Sequence, residues 1–246
     1  MDQVSVGIIT KDEERNIEDA LKSVAGANEI IIVDSFSKDR TVEICRKYTD
    51  KIYQHEWDGY SRQKQKTVDY SKSPWVLILD ADERLTPELR NEMEQTIKET
   101  DCNGFYIPRK NYFLGRWIRH SGWWPDYTLR LFRKDKASFE EREVHEKVVL
   151  EGKAGYLKNP MEHYTYRSIS DFIKKMENYS NLASIEIRRR SGRAGLYSVT
   201  VRPLATFIKM FFLRLGFLDG AHGLILAALY SYYTFLKYAK TWEVQN

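Results

Sequence analysis

The chain has 246 residues, 42% of them hydrophobic, which is enough for one large α/β domain or for an ordinary domain with an appendage. Its 39 basic and 35 acidic residues give a formal net charge of +4, and so mild an excess does not indicate nucleic-acid binding. Two cysteines, Cys45 and Cys102, are too few for a cysteine metal knuckle or a disulfide framework, so reduced thiols are expected.

The first residues and the longest uncharged stretch bear on the location of the protein. The N-terminus leads straight into a strand-like run, without the basic and apolar regions of a secretory signal. The longest uncharged stretch, 223–236, has 14 residues, whereas a membrane-spanning helix needs about 20. We therefore expect a cytoplasmic protein in which this stretch is buried or lies at an interface.

Strand-like and helical segments alternate along the first hundred residues. Apolar β-branched runs predict strands at 4–10, 29–34, 51–53, 75–79, 105–107 and 128–132. Apolar residues at helical spacing predict helices at 13–24, 41–48, 61–71, 85–101, 169–190 and 203–242. We expect an α/β domain over 1–165, with a Rossmann-like, mostly parallel sheet and helices on both faces, followed by a C-terminal helical segment over 166–246.

Three of the predicted strands end in polar residues. The first runs into Thr10 and Glu13, the second into Asp34, and the fourth into Asp80-Ala81-Asp82. Ligands of open parallel sheets bind beyond the carboxyl ends of the strands. If these strands are neighbours, their polar ends therefore surround one crevice.

The paired aspartates are the strongest local signal. Carboxylates at i and i+2 after a buried strand can face one crevice, and their hard oxygens suit Mg²⁺ or Mn²⁺ bound together with substrate phosphates. A transferase uses such an ion to neutralise a leaving diphosphate. An isolated pair of this kind is more often an acidic turn or a helix cap, but the strand before it and the other polar strand ends favour the metal site.

The carboxylate of Asp34 has two interpretations that the sequence leaves open. It can accept the imide N–H of a uracil-like base, or it can cap the turn after its strand. The same choice between site and cap holds for Asp39, which precedes a predicted helix. The sequence contains neither a phosphate-binding P-loop motif nor a dinucleotide fingerprint, so those chemistries are unsupported.

Taken together, several segments resemble the nucleotide-binding half of a family-2 inverting glycosyltransferase with a GT-A fold. They are VGIITKDEERNI, IIIVDSFSKDRTVEI, YSRQKQ and WVLILDADERLTPEL. The whole chain, including the tail FFLRLGFLDGAHGLILAALYSYYTFLKYAKTWE, is similar to the small bacterial enzymes that add a glucose-like sugar to the lipopolysaccharide inner core. The resemblance implies transfer of a hexose from a nucleotide-diphosphate sugar, with UDP the expected nucleotide, to a saccharide or lipid-linked saccharide.

The resemblance also implies roles for individual positions. Thr10 and Glu13 would line the base and ribose pocket, and Asp34 would read the base. Asp80 would contact the ribose or a metal-bound water, and Asp82 would ligate the metal.

Other positions match the family's donor site less closely. Ala81 lies within the aspartate motif, and Lys64 lies where the family places a basic or amide residue near the diphosphate. Lys11-Asp12 replaces the more common Tyr-Asn, and Gln65 stands where Asn is usual. These departures affect the fine geometry of base recognition.

An inverting transfer needs a base that deprotonates the acceptor hydroxyl. Two carboxylates follow the metal motif, Asp126 in HSGWWPDYTLRLFRK and Glu146 in EREVHEKV. In family members a series of Arg, Phe and Gly residues ends in the base, and His145-Glu146 occupies the matching place. We therefore favour Glu146, with His145 either orienting it, binding the sugar or packing as an ordinary histidine.

Aromatic and basic residues near Asp126 have two readings each. Trp123 and Trp124 either form a sugar-stacking wall or pack in the core. Arg130 and Arg133 either meet the diphosphate or line an exposed strand face.

The region 188–218 contains seven basic residues and no acidic one, interleaved with aromatic and aliphatic residues. This pattern is typical of a helix that lies on an anionic membrane face, where a lipid-linked acceptor would be presented. A homo-oligomer interface and a solvated basic face are the alternatives. We therefore expect a cytoplasmic protein that is peripheral on the inner face of the membrane, and no nucleic-acid partner.

Two further functions remain open. A nucleotidyltransferase also combines a parallel sheet with metal-binding aspartates, although it ordinarily has a Gly-rich phosphate loop near the N-terminus, which this chain lacks. A non-catalytic nucleotide-sugar-binding protein would need the same donor residues without the base.

Overall fold

The computed structural model describes residues 1–140, 147–190 and 193–245. The chain forms two compact units, one of Met1–Arg109 with Asp126–His163 and the other of Lys110–Pro125 with Tyr164–Asn246.

Four parallel strands lie side by side in the first unit. They are β1 (Val4–Thr10), β2 (Glu29–Asp34), β3 (Ile52–Gln54) and β4 (Trp75–Asp80), in the order β3-β2-β1-β4. The connections between them contain α1 (Ile17–Ser23), α2 (Thr41–Cys45) and α3 (Tyr60–Tyr70). Thr10 is in register with Asp34, and Ile9 is in register with Asp80. The expected convergence of the polar strand ends is therefore confirmed.

Antiparallel strands make the sheet mixed. The strands after β4 are β5 (Glu83–Leu85), β6 (Gly104–Phe113), β7 (Arg116–Trp117), β8 (Asp126–Arg133), β9 (Ala137–Glu140), β10 (Lys147–Leu150), β11 (Ala154–Tyr156) and β12 (Met161–Tyr166), with helix α4 (Pro87–Thr96) after β5. Of these, β9 and β10 pair with each other in a separate two-stranded sheet. Strand β8 pairs antiparallel with both β4 and β6, and β5 pairs antiparallel with β12. The predicted helix at 85–101 is thus shorter than expected, because 83–85 form a strand.

Helices cover both faces of the parallel strands, as the sequence predicts. On one face the buried cluster includes Val6, Ile8, Leu77, Leu21 of α1 and Leu89 of α4. On the other face it includes Val76, Ile78 and Val68 of α3. Alternate residues of β4 belong to the two clusters, which is why the strand is apolar without interruption.

Helix α3 lies unusually close to the sheet. A Cβ atom at Gly7 of β1 would be 2.3 Å from Thr67 Oγ1 and 2.6 Å from Thr67 Cβ. Only glycine therefore permits this approach of α3 to β1.

Glu29 begins β2 with a buried carboxylate in a dense hydrogen-bond cluster. It accepts from the Ser5 hydroxyl, from Lys51 Nζ and from the backbone N–H of Lys72 at 2.5 Å. Burial alone would raise the pKa of Glu29, but the bonds from Lys51, Ser5 and Lys72 lower that pKa from 4.5 to about 2. The ionised carboxylate therefore stabilises the folded state.

The change Glu29→Gln is expected to lower the free energy of unfolding by about 2–3 kcal/mol at neutral pH. Because the folded pKa is depressed, this contribution is fully present above pH 4.5 and is lost as the pH falls towards about 2. Denaturant unfolding of both proteins across that pH range should show their difference shrinking. The matched control is Glu99→Gln, since Glu99 is exposed; a difference that is independent of pH would contradict the prediction.

The second unit is largely helical. It contains α5 (Ile169–Arg189), α6 (Leu196–Ile208), a π-helical turn (Lys209–Leu213), a 3-10 turn (Gly216–Asp219) and α7 (Gly220–Glu243). Its core contains Phe113, Phe172, Met176 and Leu226.

The single helix predicted at 203–242 is wrong. The chain reverses between α6 and α7, with Leu215 in the left-handed conformation at φ 55°. Gly223 makes the reversal possible, because a Cβ there would be 1.8 Å from the Gly216 carbonyl oxygen. A close backbone contact of this kind has no helical periodicity to reveal it.

Candidate active site

Asp34 is fully buried at the carboxyl end of β2. Its Oδ1 accepts from the Ser37 hydroxyl at 2.5 Å, and its Oδ2 accepts from the Ser37 backbone N–H at 3.1 Å and from Gln54 Nε2 at 3.0 Å. The carboxylate therefore does cap the turn after β2. An ionised carboxylate has about four acceptor positions, so capping leaves room for a nucleobase N–H, and base reading by Asp34 stays a prediction.

The loop after β1 is tied to the loop after β2. The backbone N–H of Glu13 donates to Thr41 Oγ1 at 2.7 Å, and Thr41 Oγ1 in turn donates to Asp39 at 2.5 Å. Asp39 also accepts from the backbone N–H groups of Thr41 and Glu14, each at 3.0 Å, although the N-cap residue of α2 is Arg40, so Asp39 joins the two loops. These bonds fix the position of Glu13 beside the strand ends.

Thr10 ends β1 with a buried side chain. Within the described ranges of the chain, its Oγ1 atom has no hydrogen-bond partner. A buried hydroxyl without a partner costs free energy unless a ligand or water satisfies it. The position of this group at the strand edge agrees with the expected role of Thr10 in donor binding, which remains a prediction.

Asp80 lies between two buried cations. Lys64 Nζ contacts Oδ1 at 2.7 Å from helix α3, and Arg130 contacts Oδ2 at 2.5 Å from strand β8. The Lys64 side chain is fully buried and that of Arg130 is 5% exposed. Burial raises the pKa of Asp80, but the charges of Arg130 and Lys64 outweigh it and hold the pKa well below its usual range. Asp80 is therefore ionised.

The charges continue from Asp80 along the sheet. Arg130 also contacts Glu83 at 2.6 Å, and Arg109 bridges Glu83 at 3.2 Å to Asp126 at 2.7 Å. Burial lowers the pKa of Arg109, while Glu83 and Asp126 raise it to a net value above the ordinary one. Three cations and three carboxylates thus alternate, and sequence reasoning missed Glu83 and Arg109.

The carboxylate of Asp126 is therefore paired with the guanidinium of Arg109. Its Oδ2 accepts from both Nε and Nη2 of Arg109, at 3.0 and 2.7 Å. Both contacts end on the same oxygen, so Arg109 holds the Asp126 carboxylate in position through Oδ2. The other candidate base, Glu146, and its neighbour His145 lie outside the described residues.

Asp82 is close to a histidine that the sequence did not single out. His163 Nε2 lies 3.4 Å from Asp82 Oδ2, and both side chains are mostly buried. The two meet because β12 pairs with β5, with His163 in register with Glu83. Ala81 between the aspartates is buried.

The Asp82–His163 pair fits a divalent cation. A carboxylate oxygen and an imidazole nitrogen suit Mn²⁺, and a bound diphosphate supplies further oxygen ligands. Within the described part of the chain no group of three or more His, Cys, Asp or Glu side chains forms a metal site, so the diphosphate would be needed. Both oxygens of Asp80 contact cations, and its role as a metal ligand stays a prediction.

The nearby aromatic and basic residues separate into different environments. Trp123 packs against Phe113 with ring centroids 6.2 Å apart, in the core of the second unit, so the packing interpretation holds for it. Trp124 contacts Trp117 edge to face, and its role in sugar stacking stays a prediction. Arg133 stacks on Trp75 at the amino end of β4, so its interpretation as a diphosphate ligand is wrong.

Sheet order, helices on both faces and aspartates at the carboxyl edge define the fold class as GT-A. The chain belongs to glycosyl transferase family 2, whose family model matches residues 5–165.

Two relatives extend the similarity over nearly the whole chain. The lipopolysaccharide core biosynthesis glycosyltransferase LpsC of Rhizobium meliloti (strain 1021) is 28% identical over 248 residues, which are 98% of this chain and 92% of LpsC. An uncharacterized glycosyltransferase of Rickettsia typhi is 29% identical, over 99% of this chain and 88% of its own.

A solved structure shows the same fold. Staphylococcus aureus TarS 1-349, crystallised in complex with UDP, superposes with a TM-score of 0.51 at 18% identity. The match covers 99% of this chain and 91% of the TarS chain.

Proposed function

We propose that the protein transfers a glucose-like hexose, with inversion, from UDP to a saccharide or lipid-linked saccharide acceptor such as the lipopolysaccharide core. The observation that carries the proposal is the meeting of Thr10, Asp34 and Asp80 at the carboxyl ends of three adjacent parallel strands. The similarity to LpsC along both chains supports the acceptor class. The UDP complex of TarS, a protein of similar fold, supports the nucleotide.

The proposed donor site has two halves. Thr10, Glu13 and Asp34 hold the base and ribose at the ends of β1 and β2. On the other side, Lys64 and Arg130 keep Asp80 ionised and fixed in one orientation, so its carboxylate is preorganised for the ribose or a bound water.

The metal is proposed to be Mg²⁺ or Mn²⁺. When bound, it neutralises the negative charge of the leaving diphosphate. Asp82 and His163 are the residues that would hold it, with Asp80 beside them.

Glu146 is proposed as the base that removes the proton from the acceptor hydroxyl, with His145 orienting it. The two N–H contacts from Arg109 to Asp126 support this choice over Asp126. The protein is further proposed to act in the cytoplasm while attached to the inner face of the membrane. A homo-oligomer is the alternative use of the same basic surface.

The test of the reaction is nucleotide release. The purified chain, with Mn²⁺, a panel of nucleotide sugars and a core saccharide, is expected to release UDP, and a chelator should stop the release. In a second assay with a nucleoside triphosphate and a sugar phosphate as substrates, release of pyrophosphate would indicate a nucleotidyltransferase instead. Donor binding without any turnover in the presence of acceptor would indicate a binding protein.

The changes Asp82→Asn and His163→Ala are each expected to weaken Mn²⁺ binding about 10–100-fold in the presence of UDP, since each removes one of two protein donors. Electron paramagnetic resonance of free Mn²⁺ measures this binding without reference to activity. His222→Ala is the matched control, because His222 belongs to the second unit. Unchanged Mn²⁺ affinity in both variants would remove the pair from the metal site.

A further inference from the structure

A cleft of about 350 Å³ lies between α6 and α7 in the second unit. Arg202 and Lys209 line it from α6 and the π-helical turn, and Lys237 and Tyr238 line it from α7. It is outside residues 5–165, which the family model matches. The cleft therefore belongs to the part of the chain that the donor site does not use.

The cleft contains three positive charges, those of Arg202, Lys209 and Lys237. Among the described residues, no Asp or Glu oxygen lies within 4.0 Å of Arg202, Lys209 or Lys237, unlike Arg190, which pairs with Glu186 at 2.5 Å. Three positive charges around one opening repel each other unless an anion enters. The cleft is therefore complementary to an anionic group.

A hydroxyl group adds to this complementarity. Arg202 donates to the Tyr238 hydroxyl and lies over its ring at 4.7 Å, so the guanidinium is held in place. The Tyr238 hydroxyl accepts this bond, which leaves its own proton to be donated. Thr206 and Thr234 also line the opening, but each hydroxyl donates its proton to a backbone carbonyl of its own helix, at 2.9 Å, so the hydroxyl donor towards the cleft is that of Tyr238. Guanidinium, ammonium and hydroxyl donors around one opening suit the several oxygens of a phosphate group.

A face of exposed apolar side chains accompanies the cleft on α6. Tyr197, Val201, Leu204, Ile208 and Phe212 recur at helical spacing, and each is more than 40% exposed. In a soluble protein such a stripe normally faces the core. Here it faces outwards, which is the arrangement of a helix that lies in a membrane interface.

The same segment is the one candidate membrane span among the described residues. Leu196–Leu213 qualifies by length and composition, and only 17% of it is buried. Arg202 and Lys209 interrupt it and line the cleft instead of facing apolar surroundings. A position along the membrane surface, with the cations at headgroup level, accommodates both features.

We propose that the cleft between α6 and α7 is a binding site for the headgroup phosphate of an anionic membrane lipid, with the exposed apolar face of α6 inserted beside it. The inference rests on the membrane attachment proposed above and is independent of the transfer reaction. In this proposal Arg202, Lys209 and Lys237 make the attachment selective for phosphate.

Vesicle binding by the full chain tests the proposal. Co-sedimentation is measured with phosphatidylcholine vesicles that contain or lack phosphatidylglycerol. The pocket variant carries Lys209→Gln and Lys237→Gln, and the charge-matched control carries Lys174→Gln and Arg193→Gln, two exposed cations of the same unit. Loss of charge alone weakens both variants comparably, whereas headgroup binding in the cleft weakens the pocket variant by about tenfold more.

A variant that keeps every charge distinguishes headgroup binding in the cleft from general electrostatic attraction to an anionic membrane. Ala205→Trp fills the cleft, because Ala205 lines it, and adds apolar surface to α6. We expect it to lose binding to anionic vesicles, although attraction by charge and apolar area alone would leave binding unchanged or stronger. Circular dichroism melting establishes that each variant is folded.

Three results would overturn the proposal. Equal weakening of the pocket and control variants, or wild-type binding by Ala205→Trp, would leave membrane attachment standing but remove the cleft from it. Absence of vesicle binding, with calorimetric binding of inorganic phosphate, would assign the cleft to a soluble phosphate and remove membrane attachment as well. UDP release measured on the same samples shows whether the transfer reaction stands independently.

Discussion

Replacement of Asp80 by asparagine is expected to lower the free energy of unfolding by about 3 kcal/mol and to abolish donor binding. The physical reason is the fully buried ammonium of Lys64, which contacts Asp80 Oδ1 at 2.7 Å. Removing one partner of a buried ion pair leaves the other charge without compensation in a region of low polarity. Arg130 is less affected, because it retains Glu83 at 2.6 Å.

The double variant Asp80→Asn with Lys64→Met separates stability from function. Replacing a buried ion pair with uncharged side chains is often nearly neutral, so the double variant should regain most of the lost stability. It should not regain donor binding. Urea unfolding and calorimetric titration with UDP and Mn²⁺ measure the two effects.

Asp82→Asn is the matched control, since Asp82 is two residues away and its carboxylate lies 3.4 Å from His163 Nε2. It should lower the free energy of unfolding by less than Asp80→Asn does, while weakening metal binding. Additive losses from Asp80→Asn and Lys64→Met would contradict the assigned coupling between the two residues.

Glu146→Gln is expected to reduce turnover by at least about 10²-fold while UDP binding stays unchanged. An amide of the same shape cannot take the proton of the acceptor hydroxyl, and the donor site lies on other residues. Rapid-quench measurement of sugar transfer gives the chemical step, and titration with UDP gives donor binding.

Asp126→Asn is the informative comparison for this prediction. It removes the charge that Arg109 contacts, so a modest loss of stability is expected with turnover largely retained. Ordinary turnover in Glu146→Gln together with an inactive Asp126→Asn protein would reverse the assignment of the base.

The parallel half of the fold was accessible from the sequence, because its strands are short apolar runs bounded by polar turns. The predicted strand at 75–79 and the Asp80-Ala81-Asp82 motif after it fall where β4 ends. The convergence of the strand ends also followed from a general property of parallel sheets. The local sequence pattern and the general rule for parallel sheets therefore predicted a site at the same edge of the sheet.

The missed residues of the site depend on pairings between distant parts of the chain. His163 comes beside Asp82 only because β12 pairs with β5, and no local pattern near His163 announces this. Arg109 resembles any basic residue on a strand until β6 and β8 bring it to Asp126. Lys64 was placed near the diphosphate by resemblance, but its complete burial against Asp80 is a tertiary property.

The contact of Gly7 with Thr67 has a mechanical consequence. Since only the short Thr67 side chain lies between α3 and β1 at Gly7, a rotamer change can compress little there. Helix α3 therefore holds Lys64 at a nearly fixed position relative to the sheet that contains Asp80. In the proposed donor site this wall would have a fixed position, so a sugar nucleotide of different size would have to be accommodated by the other walls.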